Sequence, residues 1–469
     1  AMVSFVTGLS AAQIADLSVT AVGALTTTDI AALTTTQVAA FEVADLRAIK
    51  TTGLVTMTSS QLNALDSVQM AAFTSAQVVA LTTAQLSRLA TDNLAALTTA
   101  QFAVLTAAQV AALTTAQAAA IENADVAALA LNSLRAMSTQ AIAALSTDAI
   151  QALTVTQIAG LNVPQITAMT TAQIAALQTV DVRALTPAAI AALRPVQLAA
   201  LTTDGIRALT TAQTQALTST QVVSLTTDQV VALTATQLNA FKAATLQALS
   251  TNQIDALGST QMAGLSTAQL SALSTLQFAG LSTDDLRALT TAQFASLNAA
   301  KALAMTDVQL AEMETADLRA MSTAAIAALR TAQLNALTTE GVAALTTAQI
   351  SKLNFAQVRG LDSDHLNALT TAQFAALNSA QTAALTSTQT AAMETADVAA
   401  LSTLALRSLS ATALAALGTD GIGALTTGQM AALTTTQVLA LTTAEVAHLS
   451  TAQRSEEHTS ELQSPLNIS

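Results

Sequence analysis

Large apolar residues recur along this chain at every eighth position. From Leu9 to Leu449 fifty-six sites fall on that step, and all are Leu, Ile, Met or Phe. Lettering the octad a to h from this site gives the consensus L-T-T-A-Q-I-A-A. Site f is also a large aliphatic or Phe from Ile14 to Val446, with small exceptions such as Ala118, Thr214, Thr382 and Thr390. No insertion or deletion shifts the register. At Arg454 the next f site receives a charge, and the pattern ends there.

An unbroken α-helix does not suit this period. Eight residues make about 2.2 turns, so an apolar stripe would drift roughly 80° per octad and face no fixed partner. A β-solenoid suits it poorly as well. The step from a to f is odd, which places the two large residues on opposite faces of a strand. Ala-rich segments such as Ile174–Leu177 favour helix over strand.

A series of short helices fits. Thr or Ser at b is an N-cap, and Gln at e is the third helical residue. Together they write a capping box, which satisfies two orphan backbone donors reciprocally. Residues a and f are then the two partners of a hydrophobic staple. Pro187 and Pro195 fall at c, the first helical position, and Pro164 at d, where a missing N–H costs nothing. Glu42, Glu122, Glu314 and Glu394 at b precede Asp45, Asp125, Asp317 and Asp397 at e, acidic groups suited to a helix start. Where b is Lys50, Ala90, Gln178 or Arg330, the Thr at c is expected to take over the cap.

One octad cannot fold alone. Ordering its backbone costs about 8–16 kcal/mol, and burying two large side chains returns roughly 3–6 kcal/mol. Stacking must share that cost, as in solenoids. The fold expected is therefore all-α: a solenoid or superhelix of about fifty-five short two-turn helices, one per octad. Each helix runs from c to the following a. Ala at d and h should let neighbouring helices approach closely, as should Gly160, Gly264, Gly280 and Gly360 at h. The expected organisation is a partial repeat at 1–8, the octad solenoid at 9–453 and a disordered tail at 454–469.

Composition narrows the partners. Hydrophobic residues are 52% of the chain, but aromatics are 2% and charged residues 10%. The net charge of −13, with Lys and Arg scattered, speaks against nucleic acid. There is no cysteine, hence no disulfide framework or thiolate metal site, a usage that suits an exported bacterial protein. Thr, Ser, Gln or a charge interrupts every apolar run, so no membrane span is expected. The first ten residues carry neither a basic start nor a signal cleavage site.

Candidate chemistry is thin, and no catalytic, cofactor or metal residue is expected. Asp362 to His365, "DSDH", is the one dense group of potential metal ligands. It reads better as a helix start, since a metal wants further ligands from elsewhere. The Arg residues at g, from Arg47 and Arg135 to Arg359 and Arg407, show no common spacing in octads and should not line up on one face. Met at a and f is core filling. No phosphate loop, nucleophile elbow or Ser–His–Asp set is visible.

Two resemblances complete the reading. Arg454 to Ser464, "RSEEHTSELQS", resembles a common sequencing adapter read in frame, which implies that 454–469 are not natural sequence. The consensus "LTTAQIAA" resembles the octapeptide tracts of large bacterial surface or secreted, adhesin-like proteins, over residues 9–453. That resemblance implies a spacer, stalk or adhesive scaffold outside the cell, with other proteins or cell surfaces as partners. It carries over no catalytic residue. Three alternatives stand beside it. One is a module that binds an ordered surface such as ice through regularly spaced Thr. Another is a carrier region of a larger enzyme or toxin. The third is an expanded repeat without a selected role.

Overall fold

The computed structural model describes residues 4–457, and side chains to 454. It divides into two compact units, Ala1–Phe241 and Lys242–Ser469. Among the described residues there are 56 short α-helices, one 3-10 helix at Phe5–Gly8, and no strand. Helix Thr451–Glu457 includes the first residues of the adapter-like segment; 458–469 lie outside the described residues.

The octad Leu33–Ala40 shows why each helix starts where it does. Thr34 is extended (φ −76°, ψ 161°), so the chain turns into the helix from a β-like residue. The Gln37 N–H donates to the Thr34 hydroxyl over 3.2 Å. In return the Thr34 N–H donates to the Gln37 side-chain carbonyl over 2.8 Å. The preceding Leu33 is extended too (φ −60°, ψ 137°), which ends the previous helix. Residue a is thus a linker and not a last helical residue. The helices accordingly span four to seven residues, rather less than two turns. Pro187 and Pro195 open their helices, and Pro164 is second in Val163–Ala168.

The cap does not slide where b lacks a hydroxyl. Lys50, Ala90, Gln178 and Arg330 remain the N-caps, and the helices still begin at Thr51, Thr91, Thr179 and Thr331. Burial of a and f fixes the register, and a shift of one residue would unseat both. Gly418 is a different exception. It stands at b with φ +68°, the one positive φ among the described residues, and Leu417 before it is helical rather than extended.

Within each unit a helix packs against the helix three places further along the chain, so about 24 residues complete one coil. Residues f and a form the interior. Val78, Val126, Ile174 and Leu238 at f are fully buried, with Leu81, Leu129, Leu177 and Phe241 at a beside them. Thr214, Thr382 and Thr390 at f are buried as well. Their hydroxyls donate back to the carbonyls of Thr210, Asn378 and Thr386, four residues earlier, which removes the cost of hiding a polar atom. The expectation for d is corrected: Ala76, Ala84, Ala100 and Ala172 are exposed and make no close helix contact. Position h does. A Cβ on Gly160 would lie 2.3 Å from Cδ1 of Leu131, and one on Gly360 would lie 2.2 Å from Cγ2 of Thr331.

Candidate functional site

Position e carries the chemistry of this fold. Apart from Gln13 and Gln269 its glutamines are buried: Gln197, Gln213, Gln333 and Gln381 are all at most 1% exposed. A buried amide needs partners for its oxygen and for both N–H groups. The oxygen is taken by the cap N–H of its own octad, as Gln77 Oε1 accepts from the Thr74 N–H over 2.8 Å. The nitrogen reaches the preceding coil. Gln77 Nε2 donates to the carbonyls of Leu46 (2.7 Å) and Ile49 (2.8 Å), 31 and 28 residues earlier. These are a last-turn carbonyl of helix Val43–Ala48, which otherwise has only a long bond from the Ile49 N–H (3.3 Å), and the carbonyl of its C-cap.

The same bonds recur coil after coil in each unit. Gln213 donates to Val182 and Leu185, each over 2.7 Å. Gln349 donates to Leu318 and Met321, each over 2.8 Å. One side chain therefore caps the N-terminus of its own helix and the C-terminus of the helix four places earlier. Leaving a buried carbonyl without a donor costs about 1–3 kcal/mol. Sequence reasoning assigned Gln only the local cap and missed the second role. A signal was present, since a capping box accepts Glu as readily as Gln, yet Glu stands at e only at Glu445. The demand is for a donor.

Substitutions at e obey that demand in different ways. Asn93 Nδ2 donates to Leu62 (3.2 Å) and Leu65 (2.9 Å), and Ser133 Oγ donates to Leu105 (2.7 Å). Lys301 is buried, and its ammonium donates to the carbonyls of Ser271 and Leu273. Burial lowers its pKa from the ordinary value. His365 contacts the Leu337 carbonyl through Nε2 and the Asp362 carboxylate through Nδ1, both at 2.7 Å. Both ring nitrogens face acceptors, so only the imidazolium, with two N–H donors, satisfies them. Burial works against that charge, but the Leu337 carbonyl and Asp362 outweigh it and raise the pKa above 6.5. Asp362 also accepts from the His365 N–H over 2.9 Å. The "DSDH" group is thus a helix clasp in which both imidazole nitrogens are taken up.

Aspartates at e cannot donate while ionised. Burial raises the pKa of Asp45, Asp125, Asp181 and Asp285. It raises Asp317 and Asp397 to about 6, with Glu314 and Glu394 adding repulsion. Asp29 behaves in the opposite way. The Thr26 hydroxyl donates to it over 2.6 Å, and the Phe5 N–H and Ser4 hydroxyl donate to its other oxygen. These bonds outweigh burial and lower its pKa to about 2.

The Arg residues at g are solvated, as with Arg207 beside Asp204 (3.6 Å) and Arg287 beside Asp284 (3.7 Å) and Glu312. Their alignment needs correction. Helices stack by threes, so Arg135, Arg183 and Arg207 belong to one stack in the first unit, and Arg287, Arg359 and Arg407 to one stack in the second. The period that matters is three octads, which the sequence does not display. Among the described residues no three His, Asp or Glu side chains converge as a metal site, and no helix is long and apolar enough to cross a membrane.

Short helices stacked by threes around a buried ladder define a repeat protein of the α-solenoid class. The family model of the ALTTAQ repeat matches at 38–75, 87–121, 118–155, 174–211, 203–235, 235–267, 265–299, 310–347, 342–371, 360–393 and 390–427. These matches take in well over half of the chain, which belongs to the ALTTAQ repeat family. No curated protein and no solved structure matches it.

Proposed function

We propose that the chain is a non-enzymatic structural scaffold, a spacer or adhesive stalk of a bacterial protein that works outside the cell. The observation that carries this reading is the uniformity of the ladder. Gln77, Gln213 and Gln349 tie their coils to earlier ones by the same pair of bonds. Repetition of one local rule makes extent adjustable in whole octads without redesigning a core. Solvent-facing positions c, d and g are free to vary, and they do. The absence of cysteine suits an oxidising compartment.

The test is display on a bacterial surface between an anchor and a terminal epitope. Removing whole octads should reduce antibody access in step with the number removed, while exchanging exposed residues at c, d and g should leave access unchanged. Access that ignores octad number would overturn the spacer reading.

One observation favours a second reading, recognition of an ordered surface. Thr35 and Thr36, at c and d, are exposed on helices that repeat every third octad. Thermal hysteresis in solution separates it from the first: a spacer gives none.

A further inference from the structure

Two large apolar side chains of the second unit stand outside the core on one row of helices. Helices Thr331–Leu334, Phe355–Gly360, Ser379–Ala383 and Thr403–Arg407 pack one on the next. Most Phe residues fill sites a and f, but Phe355 stands at c and is 65% exposed. Leu404 stands at d, where Ala is usual, and is 65% exposed as well. Each has an arginine on the same helix face: Arg359 four residues after Phe355, and Arg407 three residues after Leu404. Both arginines are exposed. Among the described residues neither has an ion-pair partner, unlike Arg207 and Arg287.

Charge is segregated along this row. Its four octads, 329–336, 353–360, 377–384 and 401–408, hold Arg330, Arg359 and Arg407 and no acidic residue. The acidic residues of the same stretch, Glu340, Asp362, Asp364, Glu394 and Asp397, belong to the other two rows. A chain with a net charge of −13 thus carries one purely cationic face with apolar side chains among the guanidiniums. In about 0.15 M salt, charges more than about 8 Å away are screened. A surface that meets this row therefore meets its arginines and not the charge of the whole chain.

We propose that Phe355, Arg359, Leu404 and Arg407 form a docking face for an anionic lipid bilayer, the guanidiniums on headgroup phosphates and the two apolar side chains inserted beneath them. Two helix spacings separate the pairs, about 16–20 Å at 8–10 Å per packed helix. One small anion cannot touch both, whereas an extended surface can. A charged polymer would engage the arginines and leave Phe355 and Leu404 in water. Three helices per coil enclose the interior, so each row is convex and its side chains protrude. A bilayer yields to protruding apolar groups, and basic residues beside them hold the headgroups. Such attachment is peripheral, needs no membrane-crossing helix, and stands whether or not the chain works as a spacer.

The test is partitioning of the full chain onto vesicles of phosphatidylcholine, with and without phosphatidylglycerol, in about 0.15 M salt. Binding is expected on the anionic vesicles and should be severalfold weaker on the neutral ones. Arg359→Gln with Arg407→Gln should weaken it about 25-fold, roughly fivefold per charge. Gln stands at g elsewhere, as at Gln151, so this variant should fold. Phe355→Ser with Leu404→Ala brings in what Ser379 and Ala380 already supply at c and d of the same row, so it should fold too. It should weaken binding about tenfold. Three results would overturn the proposal: no partitioning onto anionic vesicles, partitioning that ignores the arginine pair, or partitioning that ignores the Phe355 and Leu404 pair. The last would make a charged polymer, with polyglutamate as the probe, the partner instead.

Discussion

Gln77 donates its side-chain amide to the carbonyl of Ile49 across 2.8 Å, and 28 residues of chain separate the two. Thr74 holds the other end of the same amide. This three-way engagement joins a local rule, how a helix starts, to a non-local one, which coil lies against which.

Changing Gln77 to Glu keeps the acceptor for Thr74 and replaces the donor with a charge. The carboxylate then faces the carbonyls of Leu46 and Ile49. We expect a loss of about 3 kcal/mol or more, since the Ile49 carbonyl loses its donor, the Leu46 carbonyl loses its shorter bond, and a charge is buried. Gln77→Ala should cost less, because Ala brings no charge and occurs at e naturally, as at Ala141 and Ala189. Urea unfolding with hydrogen exchange over 43–50 measures the difference. Equal losses for Glu and Ala would refute the donor requirement.

Lys301 is the reverse case. Its ammonium fills the donor role, but burial opposes the charge. Lys301→Gln should therefore stabilise the second unit, by about 1 kcal/mol, the scale of one hydrogen bond satisfied without a buried charge. Lys301→Met, which fills the space without a donor, should destabilise it. A thermal midpoint that moves the same way in both variants would contradict this.

Two groups make stability depend on pH in the same direction. The Asp397 carboxyl titrates at about 6 when folded against 3.8 when free, chiefly through burial. Its penalty is absent below 3.8, grows as pH rises toward 6, and is complete above that. His365 has a folded pKa raised above 6.5, so its contribution is complete below 6.5 and is lost as pH rises through the folded value. Acidifying from pH 8 to 5 should raise the unfolding midpoint of the second unit. His365→Gln and Asp397→Gln should each flatten the profile. Asp29, held at about 2, contributes stability that is lost only as pH falls from 3.8 through 2.

Gly360 marks a close approach between coils. An added methyl would meet Cγ2 of Thr331 at 2.2 Å. Gly360→Ala should destabilise by about 1–3 kcal/mol, the usual cost of overpacking. Thr331→Ala in the same chain should recover most of it. A double-mutant cycle with no coupling between the two would show that the contact is not what excludes a side chain there.

Much of this was legible in the sequence, and what was not has a common cause. Leu33 and Val38 announce the core because burial writes itself as large apolar residues at fixed spacing. Thr34 and Gln37 announce the helix start because both partners lie within one octad. The far end of Gln37, which donates to Val6 and Leu9, is invisible. Every octad looks alike, so no feature says that the partner is four helices back and not two or three. The same degeneracy concealed the common stack of Arg135, Arg183 and Arg207. The sliding cap expected at Lys50 failed because propensity at b was weighed without the burial of Ile49 and Leu54, which sets the register.

The three-octad coil is open to one direct measurement. The chain has no cysteine, so pairs of Cys introduced at exposed d positions carry spin labels uniquely. Ala84 and Ala108 lie on helices in contact, Thr83–Ser87 and Ala107–Ala111, whereas Ala100 lies on Thr99–Phe102 between them in sequence. The account predicts that the 84–108 pair, 24 residues apart, gives a shorter distance than the 84–100 pair, 16 residues apart. A longer distance for 84–108 than for 84–100 would contradict it.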